Sequence, residues 1–422
     1  MMKGFISRTF FVISLLTVPL SAFGYNRLAY QAGPAIFEPR YDRNCLSTVE
    51  VSVMGGSTTT GRNGNKDKTD VLNIYGLHNI HRLAEGVPGL DPLNLDDAIL
   101  INLIGQPNNG DFGKLKFTGK FKYIGADITL TQNFCRGFFA QMSIPVQRLE
   151  VTDIAFVDQS PTTGLPNINS AEWTQFLARF DSILERYELS KADWKDTGAG
   201  DLTILGGWTY NNDSSDTLDF MDVTIKAGLS IPTGRKRNIE KVFSLPAGHN
   251  GHVGIPVSFD MALGMLEWFT FGAHVGGQFF LKHDGVFRMK THADQNGFMK
   301  LYYDAAREDL GNLWDIATFL KADHIAGGLS LTVGYSYTAQ EDTTLAPVDT
   351  TVFTASIVND DDMLKKWHMH TVSVCADYDF AQENKKFNPK VGIFYNHPVA
   401  GKRIFNTNTI GGNAGVNIVW NF

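Results

Sequence analysis

Through most of this 422-residue chain, apolar and polar residues take turns instead of recurring at the three-and-four spacing of a helix. Residues 45–55 set Val49, Val51 and Val53 against Thr48, Glu50 and Ser52, which predicts an extended strand with one set on each face. Residues 113–133 carry Leu115, Phe117, Phe121 and Tyr123 on one parity and Ala126, Ile128 and Leu130 on the other. A parity switch within one strand predicts a bulge near Gly125. After a short turn at 133–137, residues 138–149 return with Phe138, Ala140, Met142, Ile144 and Val146 in phase. Further alternating runs follow at 201–210, 221–231, 253–265, 269–281, 313–325, 328–340, 364–380, 387–395 and 407–422. The clearest is 221–231, with Val223, Ile225, Ala227, Leu229 and Ile231 against Asp222, Thr224, Lys226 and Ser230.

About twelve strands result, joined in strict alternation by short turns and long loops. The loops at 57–113 and 150–200 are far longer than a compact domain ordinarily tolerates on one side only. Short turns on one side, long loops on the other and an even strand count fit a transmembrane barrel whose ends both return to the periplasm. In lipid such a sheet must close, because an open edge leaves backbone groups unpaired. The expected fold is therefore all-β, a transmembrane antiparallel up-and-down β-barrel of about 12 strands with long extracellular loops. One loop carries an amphipathic helix at 170–194, with Trp173, Phe176, Leu177, Phe180, Ile183, Leu184 and Tyr187 on its apolar face. That helix either packs on the rim or folds into the lumen as a constriction.

The last residues sharpen the picture. Ala414, Val416, Ile418, Trp420 and Phe422 alternate with Asn413, Gly415, Asn417 and Asn421 to the final position. This ending resembles the closing strand of bacterial outer-membrane barrels, which implies that Trp420 and Phe422 form a C-terminal assembly signal read by the barrel-assembly machinery. At the other end, Lys3 and Arg8 precede an apolar run at 10–20 and small residues at Ala22 and Gly24. Residues 1–24 are expected to be a cleavable signal peptide, since so short a run cannot span a bilayer. Residues 25–44 follow as an N-terminal periplasmic segment, and 45–422 as the barrel. The expected location is the bacterial outer membrane, with its lipid as surroundings.

A second resemblance rests on Gly200-Asp201-Leu202 and on Gly228-Leu229-Ser230-Ile231-Pro232-Thr233-Gly234. The latter ends a strand abruptly, since Pro cannot continue the ladder and Gly supplies the turn. Over about 35 residues this pair of motifs resembles the meta-pathway phenol-degradation family of outer-membrane barrels. The resemblance implies a channel for uptake of aromatic compounds, although the long outer loops depart from that family.

Charge and chemistry-bearing residues narrow the function. The chain has 37 basic and 44 acidic residues. The signal segment holds two of the basic ones and none of the acidic, leaving 35 against 44 and a net charge of −9 in the mature chain. Nucleic acid is therefore no expected partner. Cys45, Cys135 and Cys375 are too few for a disulfide scaffold. Cys45 and Cys135 fall at the same end of neighbouring strands and are either bonded or, like Cys375, unpaired small hydrophobes. Lys114, Lys116, Lys120, Lys122, Asp222, Thr224, Lys226, Ser258 and Asp260 oppose the apolar set and are expected to face the lumen, either lining a pore or filling a closed interior.

The pairs His78/His81, His249/His252 and His368/His370 come without a clustered Cys or carboxylate set, so they are read as structural or solvated and no metal or cofactor is expected. No Ser at a height matching His274 suggests a hydrolase. The function expected is an outer-membrane, porin-like channel for passive diffusion of small solutes, small aromatic or hydrophobic compounds among them. The alternatives are a structural or adhesive surface barrel with a closed lumen, its loops bearing Asp360, Asp361 and Asp362, and an outer-membrane hydrolase.

Overall fold

The computed structural model describes residues 27–33, 46–105, 113–160, 171–213, 218–380 and 386–419. Residues 1–24, Cys45, Trp420 and Phe422 lie outside them, and with them the expectations about the signal peptide, the Cys45 and Cys135 pair and the C-terminal assembly signal.

Twelve antiparallel strands form the wall: β1 (Leu46–Thr58), β2 (Lys114–Asn133), β3 (Phe138–Asp158), β4 (Leu202–Asn212), β5 (Phe220–Ile231), β6 (Gly254–Met265), β7 (Phe269–Phe280), β8 (Leu313–Ala326), β9 (Leu329–Gln340), β10 (Trp367–Asp379), β11 (Phe387–Lys402) and β12 (Thr409–Val419). Each pairs with its neighbour in sequence, and β1 pairs with both β2 and β12, so the sheet is closed. The hairpin between β8 and β9 turns in two residues, Gly327 and Gly328, and Gly327 takes the positive φ of 61° that such a turn requires. The long connections all lie at the opposite end, which marks it as extracellular.

The wall is inside out by the standard of a soluble protein. Ile225 is 51 % exposed on the outer face while the adjacent Lys226 is 1 % exposed on the inner one. The same holds for Val275 beside His274, Ile316 beside Asp315 and Val374 beside Ser373. An apolar band that faces outward around a closed cylinder is stable only against lipid. Among the described residues no helix is long and apolar enough to cross a membrane, and the strands are what cross.

Two strands stand taller than the rest, and they correct the lysine expectation. On β2 the buried, inward positions are odd throughout, from Leu115, Phe117, Phe121 and Tyr123 to Asp127, Thr129 and Thr131. Lys114, Lys116, Lys120 and Lys122 therefore face outward, not into the lumen. Nor is there a bulge at Gly125: the register with β3 runs unbroken from Lys120↔Thr152 to Asn133↔Phe139. The irregularity lies between Thr118 and Lys120, opposite Asp153 with its φ of 57°. The change in polarity along β2 reflects surroundings, not geometry. Its lower half meets lipid outside and a polar lumen inside, whereas its upper half meets water outside and an apolar lid inside.

That lid is the main hydrophobic core. It gathers Val71, Leu72 and Ile74, the helices α1 (Ile80–Glu85) and α2 (Leu95–Ile104), and the helices α3 (Ala171–Ala178) and α4 (Phe180–Arg186), together with Phe243, Phe298 and the inward aromatics of β2. The expected helix at 170–194 is broken at Arg179, whose φ of −111° and ψ of 12° are not helical. From Trp194 the chain runs as a six-residue strand on the upper edge of β3. Trp173, Phe176, Phe180 and Leu184 are all buried in the lid, so this element packs over the rim.

Candidate functional site: the barrel lumen

The inward faces of β4 to β9 build a polar interior from alternate positions. Asp222 accepts a hydrogen bond from Asn211 Nδ2 at 2.8 Å. Thr224 Oγ1 donates to Thr209 Oγ1 at 3.0 Å across β4 and β5. Lys226 Nζ lies 3.3 Å from Asp260 Oδ2. Asp260 also contacts His274 Nδ1, its direct partner across β6 and β7. The second ring nitrogen of His274 lies 3.8 Å from Asp315 on β8, and Asp315 accepts from Thr338 Oγ1 on β9 at 2.9 Å. Of the expected lumen residues, Asp222, Thr224, Lys226, Ser258 and Asp260 are thus brought together on one inner face, and Ser258 is buried beside them.

This is a charge network and not a nucleophile–base–acid arrangement. Each nitrogen of His274 is turned to a carboxylate, so neither is directed at a serine. On the opposite wall Ser143 donates to Asp127 at 2.9 Å and Asn413 Nδ2 donates to Glu50 at 3.4 Å. Charges buried this deeply persist only when paired and hydrogen-bonded.

The interior holds a feature that the alternation does not reveal. Residues 27–33, expected in the periplasm, lie inside the barrel. Arg27 Nη2 is 3.1 Å from Asp315 Oδ2. Phe405 donates its N–H to the Ala29 carbonyl at 3.0 Å, and Thr409 Oγ1 donates to the Ala32 carbonyl at 2.9 Å. Tyr30 packs edge-on to Phe121 at 5.6 Å and against Phe405 at 6.3 Å, and its hydroxyl donates to the Pro246 carbonyl. The segment joins the polar lumen at Arg27 to the apolar lid at Tyr30. Arg27, His274 and Asp315 are the site residues that sequence reasoning missed. Only the parity of His274, opposite to its apolar neighbours, signalled one of them.

Above the lumen, the lid is pinned by ion pairs between its helices. Arg186 grips Asp97 through two bonds of 2.8 Å, and Arg179 Nε meets Asp96 at 2.8 Å. The Arg186 bonds hold the Asp97 carboxyl down to about 2. Trp173 Nε1 donates to Asp158 at 2.7 Å. His78 accepts the Phe298 N–H at 3.0 Å on Nε2 and packs against Phe117. Burial, reinforced by the Lys300 cation, pushes His78 down to about 3, so it is neutral. His249 binds Asp201, and His252 lies 2.9 Å from Glu308.

No protein-family model matches the chain, and no curated protein is recognisably similar to it in sequence. Among solved structures it is similar to the COG4313 outer membrane channel from Pseudomonas putida F1, at 10 % identity over 89 % of this chain and 96 % of that one, with a TM-score of 0.49. It is also similar to the translocator domain of the autotransporter NalP from Neisseria meningitidis, at 9 % identity over 90 % of each chain and a TM-score of 0.34. A mutant of the TodX monoaromatic hydrocarbon channel gives 10 % identity over 92 % of this chain and 93 % of that one, with a TM-score of 0.32. The barrel itself rests on its own strand pairing and lipid-facing girdle, which are those of a bacterial outer-membrane protein.

Proposed function

We propose that this protein is a passive outer-membrane channel for small solutes, closed in this conformation by residues 27–33. The observation that carries the reading is that the lumen is filled partly by a segment outside the wall. Arg27, Ala29 and Ala32 bind the interior through one ion pair and two hydrogen bonds accepted by backbone carbonyls. A barrel meant to stay shut is filled by its own inward side chains. One filled by a tail opens when the tail leaves, and the polar residues left behind, Lys226, Asp260, His274 and Asp315 among them, suit water and a passing solute.

Small aromatic or hydrophobic compounds are the favoured solutes. Aromatic rings lie between the lid and the lumen, with Tyr30 packed on Phe121 and Phe405, and Phe117 on Phe243. Such a lining offers stacking and apolar contact at the mouth and polar contact below. Delivery to the membrane falls to the barrel-assembly machinery through Trp420 and Phe422.

Single-channel conductance of the refolded mature chain in a planar bilayer tests this, beside variants lacking residues 25–33 or 170–194. Stable steps that grow on removal of 25–33 are the expected result. Silence from all three, with heat-modifiable gel migration showing folded barrels, would leave a structural or adhesive surface barrel instead.

A further inference from the structure

The outer wall carries a distinct polar surface at the extracellular ends of β9, β10 and β11, on the side that faces lipid. Tyr335, Tyr337, His368 and His370 project outward there as one group. Tyr335 Oη lies 2.5 Å from His370 Nδ1. The Tyr337 ring is 4.9 Å from His370 and 5.9 Å from His368. Lys402 on β11 is the cross-strand partner of His368 and so shares its outward face.

Lys66 joins them from the first outer loop. Its N–H donates to the Asn63 carbonyl at 3.0 Å, closing a turn in which Lys66 has a φ of 73°. Arg62 ties this turn to the wall by donating to the carbonyls of Lys66 and Val399, each at 3.3 Å. Lys366 and Lys402 line one cleft with Asn63, Gly64 and Asn65 of this same turn. Among the described residues none of Arg62, Lys66, Lys366 and Lys402 forms an ion pair with a carboxylate. Of the carboxylates in the adjoining cleft, Asp342 accepts the backbone N–H of Lys366, Asp360 lies 3.6 Å from Lys290, and Asp362 pairs with Arg403. In a chain of net charge −7, four neighbouring cations whose side chains form no described ion pair concentrate positive charge at this rim.

Below them on the same outer face lie Leu331, Val333, Val374, Val391 and Ile393, all exposed. From His370 to Val374 is about 13 Å along the strand, at the usual rise per residue. A phosphate held by the cations therefore has apolar wall directly beneath it. We infer that this patch binds the phosphorylated headgroup of an outer-leaflet glycolipid. Its phosphates meet Lys66, Lys366 and Lys402, its sugar hydroxyls meet the Tyr335 and His370 pair, and its acyl chains run down the apolar band. A free phosphate would use the cations alone. The continuity of cations, interfacial aromatics and apolar wall is what selects a lipid.

The test uses the full mature chain in phosphatidylcholine nanodiscs, with bound lipid read by native mass spectrometry. The probes are bisphosphorylated lipid A, the same lipid with its phosphates removed, and inorganic phosphate as competitor. Retention of the bisphosphorylated form over the dephosphorylated one is expected. In the K66Q/K366Q/K402Q variant that retention falls at least about tenfold, since each lysine near a membrane surface is worth roughly fivefold. The K114Q/K120Q/K122Q control, which removes three outward lysines of β2, leaves it unchanged. Equal retention of the two lipids, equal loss in both variants, or no loss in the first overturns the site. Displacement of the lipid by inorganic phosphate at comparable concentration overturns the lipid assignment. The comparison of the two lipids on the unsubstituted chain needs no variant to fold.

Discussion

The carboxylate of Asp201 accepts the backbone N–H of Gly234 at 3.0 Å, so the residue that opens β4 fixes the turn that ends β5. The joint is reciprocal. Thr233 Oγ1 donates to the Gly200 carbonyl at 2.7 Å and accepts the Leu202 N–H at 3.0 Å. The other Asp201 oxygen accepts from the His249 N–H at 2.7 Å and lies 3.0 Å from its Nδ1. A Cβ on Gly248 would meet the Asp201 carboxylate at 2.5 Å, so glycine is required for that approach. The two short motifs that single out this region in the sequence are thus halves of one clasp at the extracellular rim.

Asp201→Ala leaves two buried donors of His249 and the half-buried Gly234 N–H without an acceptor. Each unsatisfied group costs about 1–3 kcal/mol, so a loss of about 3 kcal/mol or more is expected, read as a lower midpoint in urea-induced unfolding. Thr233→Val should cost about 1 kcal/mol by the same measure.

Arg27→Ala removes the only ionic tie described between the inner segment and the wall. Asp315 keeps Thr338 as a donor and His274 nearby, so the barrel stays folded with its heat-modifiable migration unchanged. The expected change is more frequent or larger conductance steps in a planar bilayer.

Protonation of His78 should loosen the lid. Its pKa in the folded chain is about 3, below the ordinary 6.5. Between those values the unfolded segment binds the proton and the folded one does not. Stability from this group is therefore present above pH 6.5 and declines as pH falls toward 3, by up to about 1.4 kcal/mol per pH unit. Hydrogen exchange at the Phe298 amide, which donates to His78, should accelerate relative to the barrel strands when pH is lowered from 7 to 4, after correction for intrinsic exchange. His78→Asn should flatten that dependence.

Trp173→Ala removes a buried ring that stacks on Phe176 at 5.3 Å and donates to Asp158. A loss of about 3–5 kcal/mol in the lid core follows from the cavity alone. Limited proteolysis should then cut within 159–201 while the strands remain protected.

The wall was legible in the sequence because lipid outside and polar residues inside impose a strict period of two. Val223 through Ile231 show it without exception, and Asp222, Thr224 and Lys226 face inward as that period requires. The rule fails where the surroundings change along one strand. Lys120 and Lys122 share a parity with Ile124 and Ile128 and point the same way, one pair to water and the other to lipid. Local pattern cannot distinguish these cases, because what decides them is a lid assembled from segments far apart in sequence. The same limit hid Arg27, whose partner Asp315 is nearly three hundred positions away.

The seat of the inner segment is shared with the seam of the cylinder. Thr409, which binds Ala32, opens β12, and β12 is the strand that pairs with β1 to complete the wall. Phe405, which binds Ala29, lies in the connection that leads into it. An unzipped barrel therefore keeps its tail by Arg27 on Asp315 and by Tyr30 on Phe121 and Pro246, and the other two ties wait for the last strand. A wall whose last stave is missing therefore holds its stopper more loosely than a finished one.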